Sequence, residues 1–392
     1  MSPGNEHHHP VWAEIDLSAI GHNCREVKRI IPRQTRFMAV VKADACGHGA
    51  LMAAKTALNN GADRLGVARA AEGVSLRQAG FQVPILVLGY TSPAETGLLL
   101  DHDLTQTLFD PEQAGEFSQK AQVRGKILKG HLKIDTGMGR LGLPAVPEAG
   151  QDVPFKPEAL KQALNMASLS GIHLEGCYTH FAQADSADKT HAQGQLQCFL
   201  AFIRTMEKKG LKFELYHAAN SAGVIDLPES HLDMVRPGIM LYGLYPSREV
   251  DHRAVSLRPS MSLKTRVAQI KEVGPGFHVS YGSTFVTGER TKIATLPVGY
   301  ADGYRRNLSS RSAMLIRGVR APVVGRVCMD QTMLDVGHIA NVEMGDEVVA
   351  FGSDGKGGLP VAEVADQLGT ISYEVVSGVS DRVERRYQER RR

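Results

Sequence analysis

The residue best suited to chemistry by its type and setting is Lys42. It closes the apolar run Phe37-Met38-Ala39-Val40-Val41 and opens onto Ala43-Asp44-Ala45-Cys46-Gly47-His48-Gly49. An amine at the end of an internal strand, desolvated and near other cations, has a lowered pKa and is free to act as nucleophile and base. Such an amine can form a Schiff base with an aldehyde cofactor. On the lysine alone a solvated strand end is the plainer reading, and the string that follows it reverses that preference. A second string, His131-Leu132-Lys133-Ile134-Asp135-Thr136-Gly137-Met138-Gly139-Arg140-Leu141-Gly142, formally contains G-x-G-x-x-G. It is not a dinucleotide loop, because Pro144 and Pro147 follow and interrupt any phosphate-binding helix. Three further strings each stand at an expected strand end: Tyr178-Thr179-His180-Phe181, Asn220-Ser221-Ala222-Gly223 and Val235-Arg236-Pro237-Gly238-Ile239-Met240-Leu241-Tyr242-Gly243. Singly each is a turn; together they surround one site.

The elements that must position these residues follow a clear alternation. Strand-like runs occur at 36 to 42, 64 to 68, 84 to 89, 105 to 109, 131 to 135, 176 to 180, 214 to 220 and 234 to 243, eight in all. Helix-like segments such as Leu51 to Leu58 and Gln195 to Met206 fill most of the gaps, so the strands are expected to be parallel. A further helix is expected from Asp16 as N-cap through Leu17, Ile20, Cys24, Val27 and Ile31. Eight such units predict an α/β fold of the (β/α)8, TIM-like barrel type, with the site where strands end and loops begin. An open doubly wound sheet is the rival. Beyond Tyr245 the pattern turns to strands with glycine-rich turns, at 267 to 273, 279 to 286, 292 to 298, 313 to 316, 323 to 336 and 347 to 351, and only 360 to 368 looks helical. The expected division is therefore a barrel over 1–245, with 1–10 as a loose tail, and a mostly β C-terminal domain over 246–392.

Composition narrows the partners. The 392 residues suffice for two cores, and 45 Lys plus Arg against 42 Asp plus Glu leave a net charge of +3. No strong field draws nucleic acid or anionic lipid, so a small molecule is the expected partner. Five scattered cysteines without a C-x-x-C pair suit a reducing cytoplasm. No signal peptide is expected in the polar start, and no apolar run approaches membrane-helix length. The His7-His8-His9 run lacks other ligands nearby and reads as solvated, so no metal is expected.

The string Val41-Lys42-Ala43-Asp44-Ala45-Cys46-Gly47-His48-Gly49 resembles the VKADAYGHG signature of the alanine racemase family, and the resemblance runs from Ala13 to Tyr387. It implies a barrel plus β-domain enzyme with pyridoxal phosphate carried on Lys42. It assigns Arg140 to the substrate carboxylate or the cofactor's ring oxygen, for which a guanidinium is apt. Lys133 matches a position carbamylated in some members, a plain solvated lysine being the alternative. Ser221 and the amides of Gly238 and Ile239 are assigned to the phosphate, as is Tyr373. Arg236 is assigned to the pyridine nitrogen, with His180 as its partner. A guanidinium cannot accept a proton, so that nitrogen stays unprotonated and the α-carbon is returned its proton, which favours racemisation over transamination.

Inversion needs two groups astride the carbon, and Lys42 serves one face only. The segment Val279-Ser280-Tyr281-Gly282-Ser283-Thr284-Phe285 matches the one that carries the family's other base. Tyr281 alone reads as a half-buried strand aromatic; as a base it needs cations nearby to favour the phenolate, a field expected from His180 and Arg236. In the family this tyrosine enters the neighbouring subunit, which implies a head-to-tail homodimer. Met329 then contacts the substrate carboxylate through its amide, and Tyr300 narrows the entrance to a pocket sized for a methyl group. The implied reaction is interconversion of L- and D-alanine, supplying D-alanine for peptidoglycan.

Three alternatives remain at this stage: a racemase for serine or a broader set of amino acids, a decarboxylase of the same architecture, and a cofactor-carrying barrel without turnover. Decarboxylases of this architecture pair the ring nitrogen with glutamate, against which Arg236 argues, and the β domain with Tyr281 argues against a bare barrel. One departure stands out. Cys46 occupies the place of a family tyrosine that touches the phosphate, and a thiol is a shorter, weaker donor. The consequence is looser cofactor binding: Cys46→Tyr is expected to slow cofactor release in a dissociation measurement, and unchanged or faster release would refute the assignment.

Overall fold

The computed structural model describes residues 9–150 and 153–389. His7, His8 and the rest of the expected tail before His9 lie outside the described residues. The described residues divide into two compact units: 19–45 with 50–150 and 153–258, and 9–18 with 46–49 and 259–389.

The first strand of the chain, β1 (Val11–Asp16), belongs to the second of these units. The other unit is built on β2 (Arg36–Val40), β3 (Arg64–Val67), β4 (Ile85–Val87), β5 (Thr105–Leu108), β6 (Leu128–Asp135), β7 (Ile172–Tyr178), β8 (Leu215–His217) and β9 (Met234–Val235). Each pairs in parallel with the next and β9 returns to β2, so the eight strands close into a barrel. Its fold is a (β/α)8, TIM-like barrel, and the doubly wound alternative falls with the β9–β2 pairing. Phe37, Met38, Ala39 and Val40 are all buried, because strands walled by neighbours and helices on both faces need continuous apolar runs. Met38, Leu86, Leu215 and Met234 form a cluster within it. The connecting helix Thr190–Lys208 buries Leu196, Phe199, Phe202 and Ile203 at helical spacing.

One expectation about the barrel changes in detail and another holds. The run at 234 to 243 is a strand only over Met234–Val235, and Ile239–Tyr242 is a 3-10 turn. Pro237 has no N–H for a ladder, and the chain turns there. The glycine-rich string after β6 leads into a two-residue strand, Leu143–Pro144, and the next helix starts only at Pro157, as the prolines require.

The second unit is mostly β. Its main sheet runs in the order 319–322, 313–316, 347–353, 261–266, β1, 384–388, with a smaller three-stranded sheet of 269–273, 291–296 and 332–335. The sequence reading did not anticipate β1, the strand at 261–266 or the short helix Ser372–Ser377. The run at 323 to 336 is a strand only over Thr332–Asp335, and that at 279 to 286 is interrupted by a 3-10 turn at Tyr281–Ser283. β1 pairs antiparallel with Met261–Arg266 and in parallel with Glu384–Gln388, so a segment from the start of the chain joins two from the end. The unit boundaries accordingly differ from 1–245 and 246–392. No helix among the described residues is long and apolar enough to cross a membrane.

One buried ion cluster ties β1 into its sheet. Lys264 Nζ lies 2.9 Å from Glu14 and 2.8 Å from Glu347. Removing a buried partner leaves an uncompensated charge. Lys264→Ala is expected to lower unfolding stability by about 3 kcal/mol, with Lys264→Met milder through its packed stem; equal urea midpoints for Lys264→Ala and the parent would refute this.

Candidate active site

Lys42 stands exposed just past β2, and the backbone after it is unusual. Ala43, Asp44, Ala45 and Cys46 all have positive φ, from +50° to +55°, a single left-handed turn of non-glycine residues. Each such residue costs on the order of 1–2 kcal/mol. Local bonds offset the strain. The Ala43 N–H donates to Glu72 Oε1 at 2.7 Å, Ala45 N–H to the Val41 carbonyl at 2.9 Å, and Ala50 N–H to Asp44 Oδ1 at 2.7 Å. Glu72 also accepts from the amides of Ala68 and Arg69, so one carboxylate holds the turn against the end of β3.

The loop that carries Arg140 is fixed in a similar way. Asp135, the last residue of β6, accepts from the amides of Gly137, Met138 and Gly139 at 2.8 to 3.1 Å. Gly142 has φ +133°, and a Cβ there would meet Asp135 N at 2.5 Å, so only glycine returns the chain beside the strand.

Arg236 is buried on the turn after β9 and is ringed by acceptors. One Nη2 donates to the carbonyls of Thr179 at 2.8 Å and Ala218 at 3.0 Å and lies 3.2 Å from His180 Nδ1; Nη1 lies 2.8 Å from His217 Nδ1. Its Nε–H and second Nη1–H remain for another acceptor. The Tyr178 ring lies under the guanidinium at 5.0 Å and stacks on His217 at 4.6 Å, 6° from parallel. Burial lowers the Arg236 pKa to about 10, so it stays cationic at neutral pH. Burial first, then Arg236, pushes His180 and His217 well below the usual imidazole value.

Lys133 points into the same region, with Nζ 5.5 Å from the Tyr178 ring centre. It is 3% exposed, which removes the plain solvated reading. Burial, Arg140 and Arg236 lower its pKa to about 7, leaving a substantial neutral fraction. Lys42, Arg140 and Arg236 all act electrostatically on both Lys133 and His180, which places these residues in one region of the barrel. Beside them, Ser221 heads a short helix capped by Asn220, and its Oγ accepts from Gly238 N at 2.9 Å. Tyr242 OH donates to the Val40 carbonyl at 3.0 Å, pinning the turn that carries the Gly238 and Ile239 amides onto β2.

In the β unit, Tyr281, Tyr300 and Met329 share one framework. Ser280 Oγ donates to the Arg326 carbonyl at 2.6 Å, and Tyr300 and Ala301 amides donate to Cys328 and Met329 carbonyls at 3.0 Å. A Cβ on Gly299 would meet the Met329 carbonyl oxygen at 2.3 Å, so glycine is required. Arg382 bridges Asp302 and Asp330 at 2.7 Å each. Tyr281 is 71%, Met329 54% and Tyr300 37% exposed in the chain by itself. Tyr373 lies on Ser372–Ser377.

The sequence reading named His180 as the partner of Arg236, and the structure adds His217 at the shorter distance. It also missed His131, Glu72, Asp135 and Tyr178 as positioning groups. A histidine within a barrel strand was the available sign for His131 and His217. The expected joint field of His180 and Arg236 is corrected: held below its ordinary pKa, His180 is neutral, and Arg236 alone carries the charge.

The chain matches the family described as alanine racemase, N-terminal domain, over residues 15–246, and that described as alanine racemase, C-terminal domain, over 260–387. It is 49% identical over 380 residues to the alanine racemase of Desulforamulus reducens, covering 96% of this chain and 99% of that one. It is 50% identical over 376 residues to that of Desulfosudis oleivorans, covering 96% of each. Among solved structures it resembles the alanine racemase of Clostridium difficile 630, at TM-score 0.91 and 38% identity over 97% of this chain and 96% of that one. The Bacillus anthracis enzyme with bound L-Ala-P superimposes at TM-score 0.89 and 36% identity, covering 97% and 95%.

The buried imidazoles set a pH dependence. His131 falls to about 3, largely by burial, and His180 and His217 move the same way. The folded chain keeps them neutral, whereas the unfolded chain protonates them below about 6.5, so stability is lost as pH falls from about 6.5 toward 3. Lys133 acts in the same direction between 10.5 and about 7. The urea midpoint is expected to rise steadily from pH 5 to pH 8, and a flat or falling midpoint over that range would count against buried neutral imidazoles.

Proposed function

Because the chain belongs to the alanine racemase family, we propose that it interconverts L- and D-alanine by a two-base mechanism, with Lys42 and Tyr281 on opposite faces of the α-carbon. The observation that carries this reading is Arg236. It is a buried cation whose every contact is an acceptor, with no carboxylate against it among the described residues. The family's cofactor is pyridoxal phosphate, and the barrel's residues fit it. Lys42 offers an exposed amine, the Ser221 hydroxyl and the Ile239 amide offer donors for a phosphate, with the Gly238 amide bonded to Ser221 Oγ beside them, and Arg236 keeps an N–H for a ring nitrogen.

When bound, pyridoxal phosphate supplies the electron sink that makes the α-hydrogen acidic. Everything else falls to side chains. Arg236 would hold the pyridine nitrogen as a donor only, since a guanidinium cannot accept a proton, and would thereby disfavour its protonation. Lys42 removes or delivers the proton on one face, and Tyr281 does so on the other, removing it as the phenolate and delivering it as the phenol. Arg140 and the Met329 amide hold the substrate carboxylate, Tyr300 limits the side chain to a methyl group, and Tyr373 adds a phosphate contact. A carbamylated Lys133 would present a carboxylate to orient Arg140, and the buried amine with a pKa near 7 is a competent nucleophile for carbon dioxide.

The exposure of Tyr281, Met329 and Tyr300 supports a head-to-tail homodimer in which they complete the neighbouring chain's site. Five free cysteines suit a cytoplasmic enzyme supplying D-alanine for peptidoglycan. Serine as a second substrate is tested by comparing turnover of both amino acids.

Two variants test the mechanism. In Lys42→Ala, borohydride should no longer fix the cofactor to the chain. Tyr281→Phe should retain the bound cofactor but lose about 10²–10⁴-fold in racemisation in both directions by a chiral assay; inversion at full speed would sink the two-base reading.

A further inference from the structure

Beyond Arg236 the barrel interior holds a chain of polar groups that the mechanism has not used. His217 Nε2 lies 2.8 Å from His131 Nδ1, and His131 Nε2 lies 3.9 Å from Glu175 Oε2, which is itself 3.9 Å from Arg64. His131 and His217 are both fully buried. The fold makes room for the inner ring: the pairing of β6 with β7 shifts register between Gly130 and His131, and a Cβ on Gly176 would meet His131 Nδ1 at 2.7 Å.

The proton positions follow from donor capacity. A guanidinium has donors only, so Arg236 Nη1–H must donate to His217 Nδ1, which carries no proton. The neutral His217 ring then bears its proton on Nε2 and donates to His131 Nδ1, which must also be bare. His131 in turn bears its proton on Nε2, facing Glu175, with no hydrogen-bond partner closer. The opposite polarity would set two donors against each other at Arg236. Neither ring can take a second proton while both bonds hold.

We infer that Arg236, His217 and His131 form a hydrogen-bond chain of fixed direction, its last Nε2–H facing Glu175 at 3.9 Å, in which His131 is a positioning residue that keeps His217 an acceptor toward Arg236. The arginine is thereby held, charged and correctly oriented, by a neutral partner. A carboxylate in the place of His217 would hold it as firmly but would cancel its charge. This role rests on the reading that Arg236 faces the pyridine nitrogen.

Neutron diffraction from perdeuterated holoenzyme crystals reads the protons directly. Deuterium is expected on Nε2 and absent from Nδ1 in both rings, and a deuteron on either Nδ1 overturns the chain. In solution, His131→Leu leaves the His217 Nε2–H without an acceptor. It should lower kcat by about tenfold or more, the scale of a lost hydrogen bond at a charged group, with KM little changed and the absorption of the bound cofactor displaced. His131→Asn, whose amide oxygen can accept near the place of Nδ1, should restore most of that loss. A Leu variant matching the parent in kcat and absorption, or an Asn variant as slow as the Leu variant, overturns the positioning role. Arg236→Lys tests the underlying reading by itself. A displaced cofactor absorption supports it, whereas an unchanged one removes that reading and the role of His131 with it, leaving the proton positions as the neutron map shows them.

Discussion

A buried cation surrounded by acceptors and no anion is the constraint around which the barrel interior is organised. Desolvating a guanidinium is costly unless its donors are satisfied. Arg236 meets that requirement with two carbonyls and an imidazole nitrogen at hydrogen-bond distance, over the face of Tyr178. Each of these partners is neutral, so the charge is retained where a carboxylate would have neutralised it. Burial first, and then that field, keeps His180 and His217 unprotonated, and burial with Arg140 and Arg236 draws Lys133 to about 7. Several titratable residues thus occupy one volume with few of them charged.

Local backbone restraint is the counterpart on the loops. Four consecutive L-residues in a left-handed turn after Lys42 persist because Glu72 holds the Ala43 amide and Asp44, within the turn, holds the Ala50 amide that follows it. Asp135 does the same for the loop that carries Arg140. In both cases a carboxylate commits its oxygens to backbone N–H groups, and the Asp135 charge still acts on Lys133. Strain of this kind is held at functional loops when the surroundings over-determine it.

The barrel was legible in the sequence because short apolar or β-rich runs alternate with helical segments, and all eight runs fell near observed strands. The short pieces were not. β1 is six residues whose partners lie some 250 and 370 positions away, and no local periodicity encodes such pairings. The site residues were legible through strings whose spacing carries the family resemblance. His131 and His217 were opaque because their roles depend on a register shift in β6, on a glycine across the sheet and on an arginine from another strand. Those relations exist only once the chain is folded.

The same geometry bears on the decarboxylase alternative. That chemistry wants a proton kept on the ring nitrogen, which calls for a carboxylate there. Glu175 is the carboxylate on this polar chain, and it is separated from Arg236 by two imidazoles, 3.9 Å beyond the second. Converting one activity into the other would therefore take more than replacing Arg236. A glutamate at that position would face the carbonyls of Thr179 and Ala218 and a bare His217 Nδ1, acceptors against acceptor. Both histidines would have to reverse their protons for one ring to become a donor. The direction of the chain, set by the arginine, is thus a barrier to the alternative chemistry as well as a support for the one proposed.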